Sequence, residues 1–297
     1  MSLKFFLEYF LIKLLLFICS LFSKKFIFNI FKYLGTLSFY LLKKRRNLAI
    51  RNITNAFPKK DKKNIIKIAK GSFQNFSEVI AYNLLVQCNK INKKNINEFV
   101  LEENFNILES LIKNSSNGVL IITGHIGNWE CLSQYVSLKI STKFHAIARQ
   151  MNNPLIDKNI VNVIRSKFNI HTFHKKNAIL RLMKVLKKGD TAGILIDQNL
   201  DDKMHIKTKF FGNFANSTPL PAILKIKYNI PIIFAFMVKN SAHKYELIFY
   251  DDITLNFNNK SENELIFEIT NNHQKILEEV IKEYPEQWLW MHNRWKL

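Results

Sequence analysis

The chain has 297 residues, 47% of them hydrophobic, and a formal net charge of +21 at pH 7. That is enough for one generous α/β domain or two small ones, and it excludes a disordered chain. The positive excess favours anionic partners such as phospholipid, phosphorylated ligands, acidic proteins or nucleic acid. Part of it reads as compositional drift, because Lys, Asn and Ile are abundant along the whole length. Cys19, Cys88 and Cys131 are odd in number and far apart. With no CxxC or Cys/His spacing, neither a disulfide framework nor a zinc finger is expected, and a reducing compartment fits.

The first element is the apolar run LKFFLEYFLIKLLLFICSLF (3–22), interrupted by Lys4, Glu8, Lys13 and Ser20. About 20 residues suffice to cross a hydrocarbon core, but the internal charges weaken a spanning reading. No small-residue cleavage site follows, so a signal peptide is not expected. A second apolar stretch, 26–42, precedes KKRRNLAIR, with Lys43, Lys44, Arg45, Arg46 and Arg51. Two apolar helices followed by a basic cluster predict attachment to an anionic cytoplasmic leaflet, spanning or interfacial. The plainer alternative is a buried helical pair capping the domain.

Further along, apolar spacing predicts helices over 59–85 and 104–114. GVLIIT (118–123) reads as a buried strand, and a helix over 128–140 follows it directly. Strands are expected at 143–149, 190–198, 230–238 and 244–255. Helices are expected at 154–168, 177–189, 218–229 and 261–284. This alternation predicts a mostly parallel central sheet flanked by helices. Residues 1–45 would form an N-terminal membrane-anchoring unit and 46–297 a catalytic α/β domain. Ligands of such folds gather outside the carboxyl ends of the strands.

One such end carries the chemistry. TGHIGNWE (123–130) sets His125 between Gly124 and Gly127, just past a strand. The glycines permit a sharp turn and the close approach of a ligand. Glu130 falls in the first turn of the next helix, from where its carboxylate can reach the imidazole, fix its tautomer and stabilise the imidazolium. The other ring nitrogen is then free to take a proton from a hydroxyl. No Ser or Cys nucleophile stands in front of the histidine, a pattern suited to direct attack by a substrate hydroxyl. A first-turn Glu and a hydrogen-bonded His are also ordinary structural features, so both readings stand at this point. Cys131 belongs to the packed side of its helix rather than to catalysis. His171 and His174 of HTFH lack a third partner, read as plain loop, and imply no metal.

Several segments together resemble one family. The HX4E spacing in GHIGNWE is similar to the HX4D/E motif of glycerolipid-type acyltransferases, and its GNWE form resembles the bacterial lipid A biosynthesis acyltransferases. RRNLAIRNITNAFP (45–58), AIARQMNNPLID (146–157), GILIDQN (193–199), FFGNFANSTPLPAILK (210–225) and YPEQWLWMHNRWK (284–296) resemble that family's further motifs, in its order and over nearly the whole chain. The resemblance implies a glycerolipid-acyltransferase-like fold. It also implies transfer of a fatty acyl group from acyl carrier protein, or from coenzyme A, to a hydroxyacyl chain on a phosphorylated glucosamine disaccharide. The expected place is the cytoplasmic face of the bacterial inner membrane. His125 and Glu130 would be the catalytic dyad, with Arg149 in substrate or oxyanion binding. No cofactor or metal is expected, and the partners would be acyl carrier protein, the glycolipid acceptor and membrane lipid.

Other residues carry paired readings. Asp197 and Gln198, at a strand's carboxyl end, contact ligand or hold the loops. Asn128 caps its helix or contributes an oxyanion donor. Phe210 and Phe211 pack or line an acyl channel. Trp288, Trp290 and Trp295 anchor the C-terminal segment, and His292 and Arg294 add a phosphate contact or pack. The alternatives are an acyltransferase for another glycerolipid or glycan acceptor and, as the competing class, a non-catalytic, membrane-peripheral polyanion-binding protein. The basic residues are diffuse and no helix-turn-helix, RNA-recognition or zinc pattern is present, so nucleic acid is not expected as a partner.

Overall fold

The computed structural model describes residues 2–296 apart from Glu103, Arg149, 175–177, 201–204, 242–243 and 253–259. The chain opens with three helices, α1 (Leu3–Leu21), α2 (Lys24–Leu41) and α3 (Lys43–Ala56), followed by the long α4 (Lys62–Gln87). The Asp61 carboxylate caps α4 by accepting the Asn64 N–H at 2.8 Å. Strand β1 (Val100–Glu102) and α5 (Phe105–Asn114) lead into β2 (Leu120–Thr123), α6 (Trp129–Lys139) and β3 (Phe144–Ala148). The expected single helix after β3 is instead a short α7 (Pro154–Ile156), a π-turn over Asp157–Val161, and α8 (Asn162–Lys167).

The remainder alternates. It comprises β4 (Ile170–His174), α9 (Ala178–Leu186), β5 (Thr191–Leu195), β6 (Ile206–Phe210), β7 (Asn213–Ser217), α10 (Leu220–Tyr228), β8 (Ile232–Ser241), β9 (Lys244–Asp251) and α11 (Glu262–Glu283). A reciprocal capping box between Ser261 and Glu264 starts α11. Seven strands form the central sheet in the order β1-β9-β8-β2-β5-β3-β4. Strands β8, β2, β5, β3 and β4 run parallel. Strand β9 is antiparallel to β8, and β1 is parallel to β9.

Successive side chains of β2 point to opposite faces, and both faces are covered. Ile121 enters one core with Tyr82, Leu132 and Val136. Leu120 and Ile122 enter the other with Ile276, Leu277 and Trp290. This is why GVLIIT reads as a continuous apolar run.

The β6–β7 hairpin, the short β1, β4 and α3 are additions to the expected elements. HTFH is part of β4 rather than loop. In the hairpin Phe210 pairs with Asn213, leaving Phe211 (φ 50°) and Gly212 (φ 74°) as a two-residue turn with both φ positive.

The N-terminal helices correct one expectation. Among the described residues, no helix is long and apolar enough to cross a membrane. Leu16, Cys19, Ile27 and Phe28 belong to the same core as Tyr82 and Leu85 of α4. The opposite faces are apolar and open. Phe6, Leu7, Phe10, Leu14 and Phe17 of α1, with Tyr33, Leu34, Leu37 and Leu41 of α2, are all exposed.

Candidate active site

The segment after β2 is held from both sides. Gly127 N–H donates to the Gln287 carbonyl (3.0 Å) and Asn128 N–H to the Met237 carbonyl (2.8 Å). Leu289 N–H donates to the His125 carbonyl (3.1 Å). The buried amide of Asn75 on α4 donates to the carbonyls of Gly127 (3.0 Å) and Gln287 (3.1 Å). Gly127 has φ +60°, and a Cβ there would lie 2.0 Å from the Met237 oxygen, so only glycine fits. At Gly124 a Cβ would crowd the Asp197 carboxyl at 3.2 Å. The loop therefore lies between the end of β8 and the PEQWLW segment, at the carboxyl ends of the parallel strands.

His125 stands at this edge with its side chain one-fifth exposed. Its Nδ1 lies 2.9 Å from Asp197 Oδ1, and its backbone N–H donates to Asp197 Oδ2 at 2.8 Å. The indole N–H of Trp288 donates to the same Oδ2 at 2.8 Å. Asp197 is 2% exposed, just past the end of β5. Burial would raise its pKa, but the His125 ring and N–H and the Trp288 indole hold it down at about 2. An ionised carboxylate only accepts, so Nδ1 carries the proton and Nε2 keeps its lone pair. Burial also tends to lower the His125 pKa. The Asp197 carboxylate, with a smaller contribution from Glu130, outweighs this and raises it above its ordinary value.

The expectation that Glu130 orients the imidazole is corrected on this point, because the carboxylate hydrogen-bonded to the ring is Asp197. Glu130 lies in the first turn of α6, close enough to act on His125 through its charge. Burial raises its pKa, against the opposing charges of Arg165 on α8 and of His125. Arg165 is itself largely desolvated and faces Glu130 and Asp157. Sequence reasoning did not single it out, since an arginine late in a helix carries no local signal.

Asn128 is fully buried and caps α6, its side-chain oxygen accepting the Cys131 N–H at 3.0 Å. Gln198 is exposed and brings its amide nitrogen to 3.2 Å from His125 Nε2. Arg149 lies outside the described residues. Trp129 packs edge-on against the His125 ring, centroids 5.0 Å apart. Cys131 is fully buried and its thiol is pushed up to about 12, which removes it as a nucleophile.

The C-terminal motif is structural. Arg294 is fully buried, its guanidinium given to the Asn216 carbonyl, Ser217 and Gln274, and so is not a phosphate contact. Phe210 packs against Trp288 and Trp295, and Phe211 forms the hairpin turn. Trp288, read as an anchor, proves to be a hydrogen-bond donor to the acid of the site. Among the described residues no group of three His, Cys, Asp or Glu side chains could hold a metal ion.

Fold and site together define an α/β enzyme with an acid–histidine pair at the carboxyl edge of a parallel sheet. A family model described as bacterial lipid A biosynthesis acyltransferase matches residues 2–297, and the chain belongs to that family. It is an acyltransferase of lipid A, and hence lipopolysaccharide, biosynthesis, acting on a lipid A-type acceptor. No curated protein gives a significant match.

Proposed function

We propose that this protein transfers a fatty acyl group from the thioester of acyl carrier protein to the hydroxyl of a hydroxyacyl chain on a lipid A precursor. The observation that carries the reading is the His125–Asp197 pair, with Nδ1 committed to the carboxylate and Nε2 3.2 Å from the exposed Gln198 amide. In the proposed reaction Nε2 takes the hydroxyl proton as the oxygen attacks the thioester carbonyl. Asp197 stabilises the imidazolium that forms. The imidazolium then returns its proton to the departing thiolate, so atoms and charge balance without a metal or cofactor.

The oxyanion of the tetrahedral intermediate needs donors. Arg149 is proposed for this role, as the residue that follows β3 in the sequence. Glu130 and Arg165 of α8 act on each other through their charges. In this reading Glu130 supports the imidazolium through space while Arg165 opposes the rise that burial gives the Glu130 pKa.

The apolar faces of α1 and α2 support an interfacial rather than a spanning attachment, with the exposed Lys43, Lys44 and Arg45 of α3 at the phospholipid headgroups. We place the enzyme at the cytoplasmic face of the inner membrane. The test is expression in a bacterial host lacking its own late acyltransferases, with mass spectrometry of the extracted lipid. One added acyl chain is expected from the native protein and none from His125→Ala. Unchanged lipid in both would overturn the reading.

A further inference from the structure

The side-chain amide of Asn153 joins the N-terminal helix to the segment that follows β3. Its Nδ2 donates to the Phe5 carbonyl at 2.9 Å and to Glu8 Oε2 at 2.8 Å, both on α1. Its Oδ1 accepts the N–H groups of Leu155 (3.0 Å) and Ile156 (3.4 Å) and so caps α7. Both amide hydrogens and the oxygen are in use, and the side chain is buried. Along residues 3–8 of α1 only Phe5 and Glu8 are half-buried, while Leu3, Phe6 and Leu7 are exposed. The helix meets the core only further along, at Tyr9, Ile12, Leu16 and Cys19. The segment after β3 is also pinned at its far end. Asp157 is buried and accepts the Met151 N–H at 2.9 Å and the Asn162 amide at 3.4 Å. It opens the π-turn before α8, an irregularity frequent at functional positions. Asp157 is close enough to Arg165 for its charge to act there, Arg165 acts likewise on Glu130, and Glu130 on His125.

We propose that Asn153 is a positioning residue for the acyl transfer: it passes the seating of α1 on the bilayer to residues 150–157 and so aligns the site with its membrane-borne acceptor. The proposal rests on the acyl-transfer reading and the interfacial attachment of α1 given above, and adds a residue to them. Apolar contacts are non-directional, so a helix held by them alone is free to turn or slide. A buried amide with both hydrogens on α1 fixes the rotation and register of that helix, because hydrogen bonds are directional and an unpaired buried amide is costly. The bond to Glu8 is also charge-assisted, which makes it the stronger kind. Such a junction holds geometry where the open faces of α1 supply only affinity for lipid. Geometry matters here, since a misplacement of about 1 Å costs on the order of 10²-fold in rate.

The test separates the two sides of the amide. Asn153→Asp keeps the oxygen that caps α7 but sets a carboxylate against Glu8 and the Phe5 carbonyl. Glu8→Gln alone keeps an acceptor for Asn153. In the double variant Glu8→Gln/Asn153→Asp, the amide at position 8 donates back to the carboxylate at position 153. Full-length protein is assayed on saturating phosphatidylethanolamine–phosphatidylglycerol vesicles carrying a lipid A precursor, with an acyl carrier protein thioester as donor. Asn153→Asp should lower kcat at least about tenfold, with acceptor KM and vesicle co-sedimentation near native. Glu8→Gln should stay near native, and the double variant should regain most of the loss. Circular dichroism verifies that each variant is folded. Native kcat in folded Asn153→Asp overturns the proposal. So does a loss that only follows the fraction bound to vesicles, which would make the junction a plain anchor, or a folded double variant as slow as Asn153→Asp. If Asn153→Asp does not fold, Glu8→Ala takes its place, since it leaves the α7 cap whole, and native kcat there overturns the proposal. No acylated product from the native protein would instead sink the acyl-transfer reading itself, and this proposal with it.

Discussion

Asp197 Oδ1 lies 2.9 Å from His125 Nδ1, joining two strand ends 72 residues apart in sequence. The same carboxyl group accepts the His125 backbone N–H, so it fixes both the ring and the loop that carries it. Its replacement by Asn keeps the shape while removing the charge. We expect Asp197→Asn to lower kcat/KM by about 10²–10⁴-fold and His125→Ala by at least as much, because general-base assistance has that size. Glu130→Gln should cost less than Asp197→Asn in the same thioester-release assay. The reverse order would return the orienting role to Glu130.

The pH profile tests the same pair by a different readout. Burial favours neutral His125, but the Asp197 carboxylate more than offsets this and raises its pKa. The base works only when neutral. The acidic limb of kcat/KM should therefore lie above the ordinary histidine value of about 6.5. In Asp197→Asn the raising charge is gone and the burial remains, so the limb should move to lower pH. A limb that stays in place would detach it from His125.

Trp288→Phe removes the indole N–H that Asp197 accepts at 2.8 Å. A buried carboxylate left short of a donor should cost about 1–3 kcal/mol. A lowered midpoint in urea unfolding is expected, together with reduced turnover in the folded enzyme. Phenylalanine preserves most of the packing against Phe210 and Trp290, so the loss would report the hydrogen bond.

Gly127→Ala should be poorly tolerated. The left-handed backbone alone costs an alanine about 1–2 kcal/mol. The new methyl would also sit 2.0 Å from the Met237 oxygen and force the β8 edge to move. A clear fall in thermal midpoint is expected. Gly189→Ala is the control, since it has φ +87° but nothing within 4 Å of the added carbon, and should show only the backbone part.

Membrane attachment through α1 predicts that Leu7→Glu with Phe17→Glu releases the protein from vesicles containing anionic phospholipid. Both side chains are more than half exposed, so folding should survive. Losing two large apolar insertions at roughly 1.5–3 kcal/mol each predicts at least a hundredfold weaker partition, on the order of 3 kcal/mol. Co-sedimentation equal to the native protein would argue against this face as the contact.

Much of the fold was legible because its signals are local. A strand covered on both faces reads as a solid apolar run, as at GVLIIT, and a helix with one buried stripe reads as periodic spacing, as in α4 and α11. Strand β4 was missed because His171 and His174 make an edge strand look like loop. The hairpin was missed because its turn is Phe-Gly rather than a familiar Asn-Gly pair. In the site, GHIGN advertised His125 through its glycines. The identity of the carboxylate on the ring did not follow from spacing, because a carboxylate five residues away competes with one that only the parallel pairing of β2 with β5 brings near. Trp288 was visible as an aromatic, but nothing in PEQWLW says that its N–H points at an acid on another strand.

The bridges from Ile126 to Trp288 and from Gly127 to Met237 tie the His125 loop to segments synthesised long after it. A nascent chain lacking its last dozen residues has His125 and β8 but neither the indole that donates to its acid nor the Gln287 and Leu289 backbone groups that pair with the loop. The surroundings of His125 are thus completed last: a ribosome that stops short of Trp288 leaves Asp197 without the indole N–H that it accepts in the folded protein.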